Sequence, residues 1–213
     1  MAPKLNLYYL TSSCSLVPHI LLHETALPHT ATKVDWSAGF PPSLLHLNPK
    51  ARVPFVVLDD STVITENPAI QTLIAQLAPE KQLLGTNPLD VVRTYEWLNW
   101  LSGTLHGEAY GAWFRPSRYV KEEALYGKVK EKASESVVAC YEAVEEKLDG
   151  REWAVGDGFT AVDAYLYVFF RWGVSGGFSM DKYPRYAALA KKVEGRGAVL
   201  KALEVEGIER VAF

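Results

Sequence analysis

One thiol stands among hydroxyls near the start of this chain: Ser12, Ser13, Cys14 and Ser15. The cluster falls where an apolar run, residues 5–10, gives way to helical apolar spacing from Leu16 through Ile20. That pattern predicts strand, tight turn and helix, with the small residues at the point where the first backbone N–H groups of the helix lack partners. A helix start carries partial positive charge, favours an anion and lowers the pKa of a nearby cysteine. The chemistry implied is that of sulfur, belonging either to Cys14 or to a thiol ligand held by Ser13 and Ser15.

Two further features lie within reach of the same ligand. Thr65-Glu66-Asn67-Pro68 reads as a second helix start, with Asn67 as the cap and Pro68 as the first helical residue. Val53-Pro54 heads an apolar strand, a position where proline is tolerated and where a cis bond would turn the backbone of Val53 toward a ligand. A small peptide would pair its backbone at Val53, set a carboxylate at Asn67 and bring its sulfur to Ser13–Ser15.

The elements that must position these groups follow from the hydrophobic pattern. Residues 5–10 form a strand, a helix ends near Leu27-Pro28, and residues 30–35 form a second strand, parallel to the first. A loop over 36–50 precedes a hairpin of residues 51–58 and 63–65. Ile70, Leu73, Ile74 and Leu77 then mark a helix. Residues 82–88 read as a connector, after which the pattern is helical throughout, with a break at Arg115-Pro116. Val137, Tyr141, Val144 and Leu148 line one face of the clearest amphipathic helix, residues 129–148, with Cys140 as a small core residue. Thr160-Ala161-Val162-Asp163 is a capping box with Asp in the usual Glu position, and the last two helices cover about 186–194 and 198–205. The expected architecture is an α/β domain (βαβ then ββα) over 1–80, a linker over 81–88 and an all-α domain over 89–213.

Composition narrows the function. A chain of 213 residues with formal charge −3 and no dense Lys/Arg run does not suggest a nucleic-acid partner. Two cysteines in unrelated contexts make no disulfide framework, which points to a reducing compartment, the cytoplasm. No apolar stretch reads as a signal peptide or a membrane span.

Taken in order, the motifs resemble those of the cytosolic glutathione transferases, most closely the cysteine-containing, bacterial beta-class-like group. The matching stretches are Ser13-Cys14-Ser15-Leu16, Asn48-Pro49-Lys50-Ala51-Arg52-Val53-Pro54, Leu58-Asp59-Asp60 and Thr65-Glu66-Asn67-Pro68-Ala69-Ile70. In the second half they are Glu96-Trp97-Leu98-Asn99-Trp100, Leu105-His106, Phe114-Arg115-Pro116, residues 159–165 and Arg171-Trp172. The resemblance implies a thioredoxin-like first domain that binds glutathione, a helical second domain, a homodimer and no metal. It implies a cis Val53-Pro54 paired with the cysteinyl backbone of glutathione, and Glu66 with Asn67 at its γ-glutamyl end. It also implies Cys14 beside the glutathione sulfur, His106 at the site, and Asn99 reaching glutathione on the partner subunit. The chain departs from the family in having Asn67 for the usual Ser or Gly, and Ala51-Arg52 for Gly-Gln, which adds a cation near the glycyl end.

The expected reaction is activation of the glutathione thiol by Ser13, Ser15 and turn N–H groups, with Tyr8 as a second candidate donor, for attack on an apolar electrophile. Tyr110, Trp113, Phe114 and Trp172 are the expected wall of the electrophile pocket. The same residues are compatible with glutathione-dependent isomerisation of an activated alkene and with thiol–disulfide exchange at Cys14. His19, His23, His29 and His46 receive no role.

Overall fold

The computed structural model of the chain describes residues 3–213; residues 1 and 2, included in the expected first domain, lie outside the described residues. Strand β1 (Leu5–Tyr9) alternates strictly, with Leu5, Leu7 and Tyr9 buried and Asn6 and Tyr8 half-buried, as a period of two requires when one face meets the core. Helix α1 (Leu16–Thr25) returns the chain to β2 (His29–Lys33), which pairs parallel to β1 with Leu5 opposite His29. Strands β3 (Phe55–Leu58) and β4 (Val63–Thr65) form an antiparallel hairpin, giving the mixed sheet order β2-β1-β3-β4. Helix α2 (Asn67–Leu77) completes this thioredoxin-like unit.

Three strands are shorter than the apolar pattern suggested, the first stopping at Tyr9 instead of Leu10. The second strand stops at Lys33 instead of Asp35, and residues 51–54 stay outside β3, where the Val53–Pro54 peptide is cis and Ala51 has φ 53°. Pairing of β3 with β1 begins at Phe55.

After residue 87 the described residues form helices joined by turns and loops. Asn87 caps α3 (Pro88–Trp100) by accepting from the N–H groups of Leu89 and Asp90 at 3.0 Å each. The sequence pattern is helical up to its break at Arg115-Pro116, but the chain does not keep one regular helix there: it widens into a π-helical stretch over Leu101–Tyr110 before the short α4 (Gly111–Phe114). Such widening is rare and often marks a functional segment, because it rotates the side chains off the regular helical register. Helices α5 (Tyr126–Lys147), α6 (Ala161–Ser175), α7 (Pro184–Glu194) and α8 (Gly197–Glu206) complete the domain. Apolar on nearly every face, α6 is the buried axis of this domain. Helix α1 packs against α2 on one side and against α6 and α8 on the other, so one hydrophobic core runs through both halves of the chain.

The capping box of α6 sits in this core. Asp163 is fully buried, and its carboxylate accepts from Ala154 N–H at 2.9 Å, Thr160 N–H at 2.7 Å and Thr160 Oγ1 at 2.9 Å. Burial nonetheless pushes the acid up to about 6, against the pull of those donors. Truncation by Asp163→Ala would strand two buried N–H groups, at a cost of about 2–4 kcal/mol. For a chain of this size that is a fall in Tm of roughly 4–16 °C in a calorimetric scan.

Candidate functional site

The serine–cysteine turn is built from the inside outward. Ser15 is completely buried, and its hydroxyl donates to Leu10 O at 3.0 Å while accepting from Leu10 N–H at 3.1 Å. It thus ties the first residue after β1 to the first turn of α1. Ser13 stands over it with the two hydroxyl oxygens 2.6 Å apart, and Ser13 Oγ also accepts from Ser15 N–H at 3.1 Å. With the single Ser15 proton committed to Leu10 O, the short contact is completed by the Ser13 proton. Ser12 has φ 61° and is gripped from the helical domain: its N–H donates to Glu206 at 3.1 Å, and its carbonyl accepts from Trp172 Nε1 at 3.0 Å.

The second helix start differs from its sequence expectation. Asn67 does not cap α2; Glu66 holds the cap position, at φ 71°, and Asn67 is the first helical residue. The buried Asn67 amide points toward the other helix start, where Nδ2 donates to Cys14 O at 2.8 Å and Oδ1 accepts from Gln71 at 3.2 Å. Its side chain is consumed in joining α1 to α2, so an anion at this helix start would meet backbone N–H groups. Lys50 reaches across to Glu66 at 2.7 Å and to Thr65 Oγ1 at 2.8 Å.

Across from these turns stands the helical domain. Ser102, His106 and Gly107 of the π-helical stretch, with Phe114, Arg115, Arg118, Tyr119 and Trp172, close a cleft of about 970 Å³ against residues 10–14, Trp36, residues 48 and 50–54, and residues 65–67. That is the large end of ligand-pocket volumes, about 300–1,000 Å³. Ser13, Cys14, Arg52, Val53, Pro54, Glu66, Asn67 and His106 all line it. Ser15 lies behind the lining, and Asn99 is exposed on α3 away from it. Tyr8 is also elsewhere, stacked on Phe55 with ring centroids 4.3 Å apart. Of the expected apolar wall, Phe114 and Trp172 face the cleft, whereas Tyr110 is fully buried and bonded to Tyr141.

Charge in the cleft is unbalanced. Lys50 is paired with Glu66, but no ion pair among the described residues engages Arg52, Arg115 or Arg118. Burial and the neighbouring Arg118 and Arg52 lower the pKa of Arg115. These mutually repelling cations favour an anionic ligand. His106 packs against Phe169 and Trp172, and burial, with help from Arg115 and Arg52, pushes it down to about 4. It is a neutral imidazole at neutral pH.

Cys14 sits in an environment unlike that of an exposed helix start. Desolvation dominates at its site, pushing the thiol up to about 12 despite the opposing influence of Arg115. Its Sγ lies 3.7 Å from Val53 O, an acceptor that suits a thiol and repels a thiolate.

Models of the glutathione S-transferase N-terminal and C-terminal domains match residues 11–76 and 115–196. Over 205 residues the chain is 32% identical to glutathione S-transferase GST-4.5 of Xanthomonas campestris, covering 96% of this chain and 100% of that protein. This protein belongs to the glutathione S-transferase family. Among solved structures, a sphingomonad glutathione S-transferase complexed with glutathione superposes with a TM-score of 0.85 at 34% identity, covering 96% of this chain and all of that one. The bacterial beta-class glutathione S-transferase of Sphingomonas chungbukensis gives 0.85 at 31% identity with the same coverage.

For this glutathione S-transferase, sequence reasoning missed Arg115 and Arg118 as cleft cations, and Ser102 and Trp36 as lining. Phe114-Arg115-Pro116 was visible as a motif, and Ser102 stands four residues before His106, the spacing that puts two side chains on one helix face. The state of Cys14 is directly testable. At pH 8 its alkylation by iodoacetamide, followed by peptide mass mapping, should run at least about 100-fold slower than that of a free cysteine and accelerate roughly tenfold per pH unit toward pH 10.

Proposed function

We propose that the cleft binds glutathione and lowers the pKa of its thiol, so that the thiolate attacks an apolar electrophile seated against Phe114 and Trp172. The observation that carries this reading is the pair of stacked hydroxyls, Ser13 facing the cleft and Ser15 locked behind it. Ser13 turns its proton from Ser15 to the sulfur. Ser15 in turn swings its own proton from Leu10 O to Ser13 Oγ, 2.6 Å away, and Leu10 O keeps the N–H of Ser13 at 3.1 Å. A shift of two pKa units in the bound thiol requires about 2.7 kcal/mol. A charge-assisted hydrogen bond of about 1.5–3 kcal/mol, with the turn's N–H groups, is of that size.

The remaining residues suit the rest of the tripeptide. The carboxylates of glutathione would relieve the repulsion among Arg52, Arg115 and Arg118, while Glu66, beside the first turn of α2, would take the ammonium of the γ-glutamyl end. Val53, next to the cis Pro54, offers backbone for pairing with the cysteinyl residue. His106, neutral and half-facing the electrophile, serves as a hydrogen-bond partner and not as a cation. The reading assigns Cys14 no redox step, since its buried thiol favours protonation. Isomerisation of an activated alkene would employ the same thiolate without consuming glutathione. Asn99 and the exposed Leu89 and Val92 of α3 lie outside the cleft and suit a homodimer contact. A glutathione-rich cytoplasm is the corresponding location.

Calorimetric titration should give one glutathione per chain. Ser13→Ala should retain that binding within a few-fold but lower kcat/KM with a chloronitrobenzene electrophile by about 100-fold, the usual range for losing one donor to a developing anion. No binding at millimolar glutathione, or unchanged turnover by Ser13→Ala, would reject the assignment. The pH profile of that activity should carry a single inflection between about pH 5.5 and 7.5, that of the bound thiol, because His106 loses its proton near pH 4.

A further inference from the structure

Away from the cleft, three histidine rings that the sequence leaves without a role converge on one side of α1. His19 and His23 are four residues apart on the helix, with ring centroids at 5.1 Å, and His29 opens β2 with its ring 4.8 Å from that of His23. One ring nitrogen from each lies within 4.8 Å of the other two.

The hydrogen bonds around the rings fix what they offer. His19 Nδ1 faces Glu206 Oε1 at 2.9 Å, so it carries the proton and leaves Nε2 as a lone pair. His29 Nδ1 faces the Leu27 carbonyl at 2.8 Å and must likewise be the donor, leaving its Nε2 as a lone pair too. His19 is completely buried, yet Nε2 of His19 and Nε2 of His23 are buried without any partner. Ring stacking accounts for the packing of the imidazoles but not for two orphaned buried nitrogens, which are expensive to leave unsatisfied.

We propose that His19, His23 and His29 form a three-histidine site for a divalent cation of the zinc class. Spacing of two histidines by four residues on one helical face, a third from a neighbouring element, and an outer carboxylate on the far nitrogen of one ligand are the parts such a site requires. Tetrahedral zinc–nitrogen bonds of about 2.0–2.1 Å place ligand nitrogens about 3.4 Å apart, so the rings must close by somewhat over an ångström. His23 and His29 are only half-buried, and water would complete the four ligands. Lys201, the cation that opposes charge here, is engaged by Glu204 at 2.9 Å. None of the three histidines lines the glutathione cleft, so the proposal stands apart from the transferase reading.

The test uses tag-free, chelator-stripped protein without glutathione, which itself binds zinc. Zinc is titrated against a chromophoric chelator, and cobalt(II) is added separately to read the visible absorption of a tetrahedral site. The expected result is one zinc per chain, a tetrahedral cobalt spectrum and a rise in Tm with zinc. Affinity should fall at least tenfold in His23→Ala and in His29→Ala, and by about 10–100-fold in Glu206→Gln. His46→Ala and Cys140→Ser should leave it unchanged. Because His23 and His29 are half-buried, their variants should fold, as circular dichroism can verify. Absence of stoichiometric zinc binding, or binding indifferent to both His23→Ala and His29→Ala, would overturn the site.

Discussion

The cleft depends on one buried amide. Asn67 sits at the first turn of α2 and donates to the carbonyl of Cys14 at the first turn of α1, while Gln71 holds its oxygen from one turn further on. Two helix N-termini are thereby kept side by side, and the N–H groups of both are aimed into one space. A capping side chain at the same position would have satisfied α2 alone. By bridging, Asn67 makes the geometry of the sulfur end and the carboxylate end a single rigid quantity.

Desolvation sets the chemistry inside that frame. The same helix start that favours an anion for a bound ligand does not ionise Cys14, because Cys14 is turned into the protein, beside Val53 O, where the cost of burying a thiolate exceeds the favourable field. A ligand sulfur beside Ser13, at the mouth of the cleft, would feel the same dipole without that burial. Position over a distance of one residue therefore separates a reluctant thiol from a site suited to an activated one. His106 follows the same logic, held neutral by burial among aromatic rings and by the arginines that share its cleft.

The helical domain does more than supply an electrophile wall. Ser12 is clasped by Trp172 at its carbonyl and by Glu206 at its N–H, partners 160 and 194 residues away in sequence. The left-handed conformation of Ser12 is thus stabilised from α6 and α8, and the other oxygen of Glu206 continues to His19. A single carboxylate at the end of α8 joins the rim of the cleft to the histidine cluster.

The apolar run of β1, the serine turn, the proline-headed hairpin and the amphipathic helices were legible in the sequence because each rests on local periodicity and turn chemistry. The same holds for most of the residues that meet in the cleft: Ser13, Cys14, Val53, Pro54, Glu66 and Asn67 sit in short motifs at the ends of these elements. Only the tertiary structure decided how they act. It spent Asn67 on a bridge, put Ser15 behind Ser13, moved Tyr8 and Tyr110 out of the site, and widened the helix at Ser102 and His106. It also brought His29 to His19 and His23. These outcomes turn on burial, on competition for hydrogen-bond partners between distant segments and on the angular phase of one helix, none of which a linear pattern encodes.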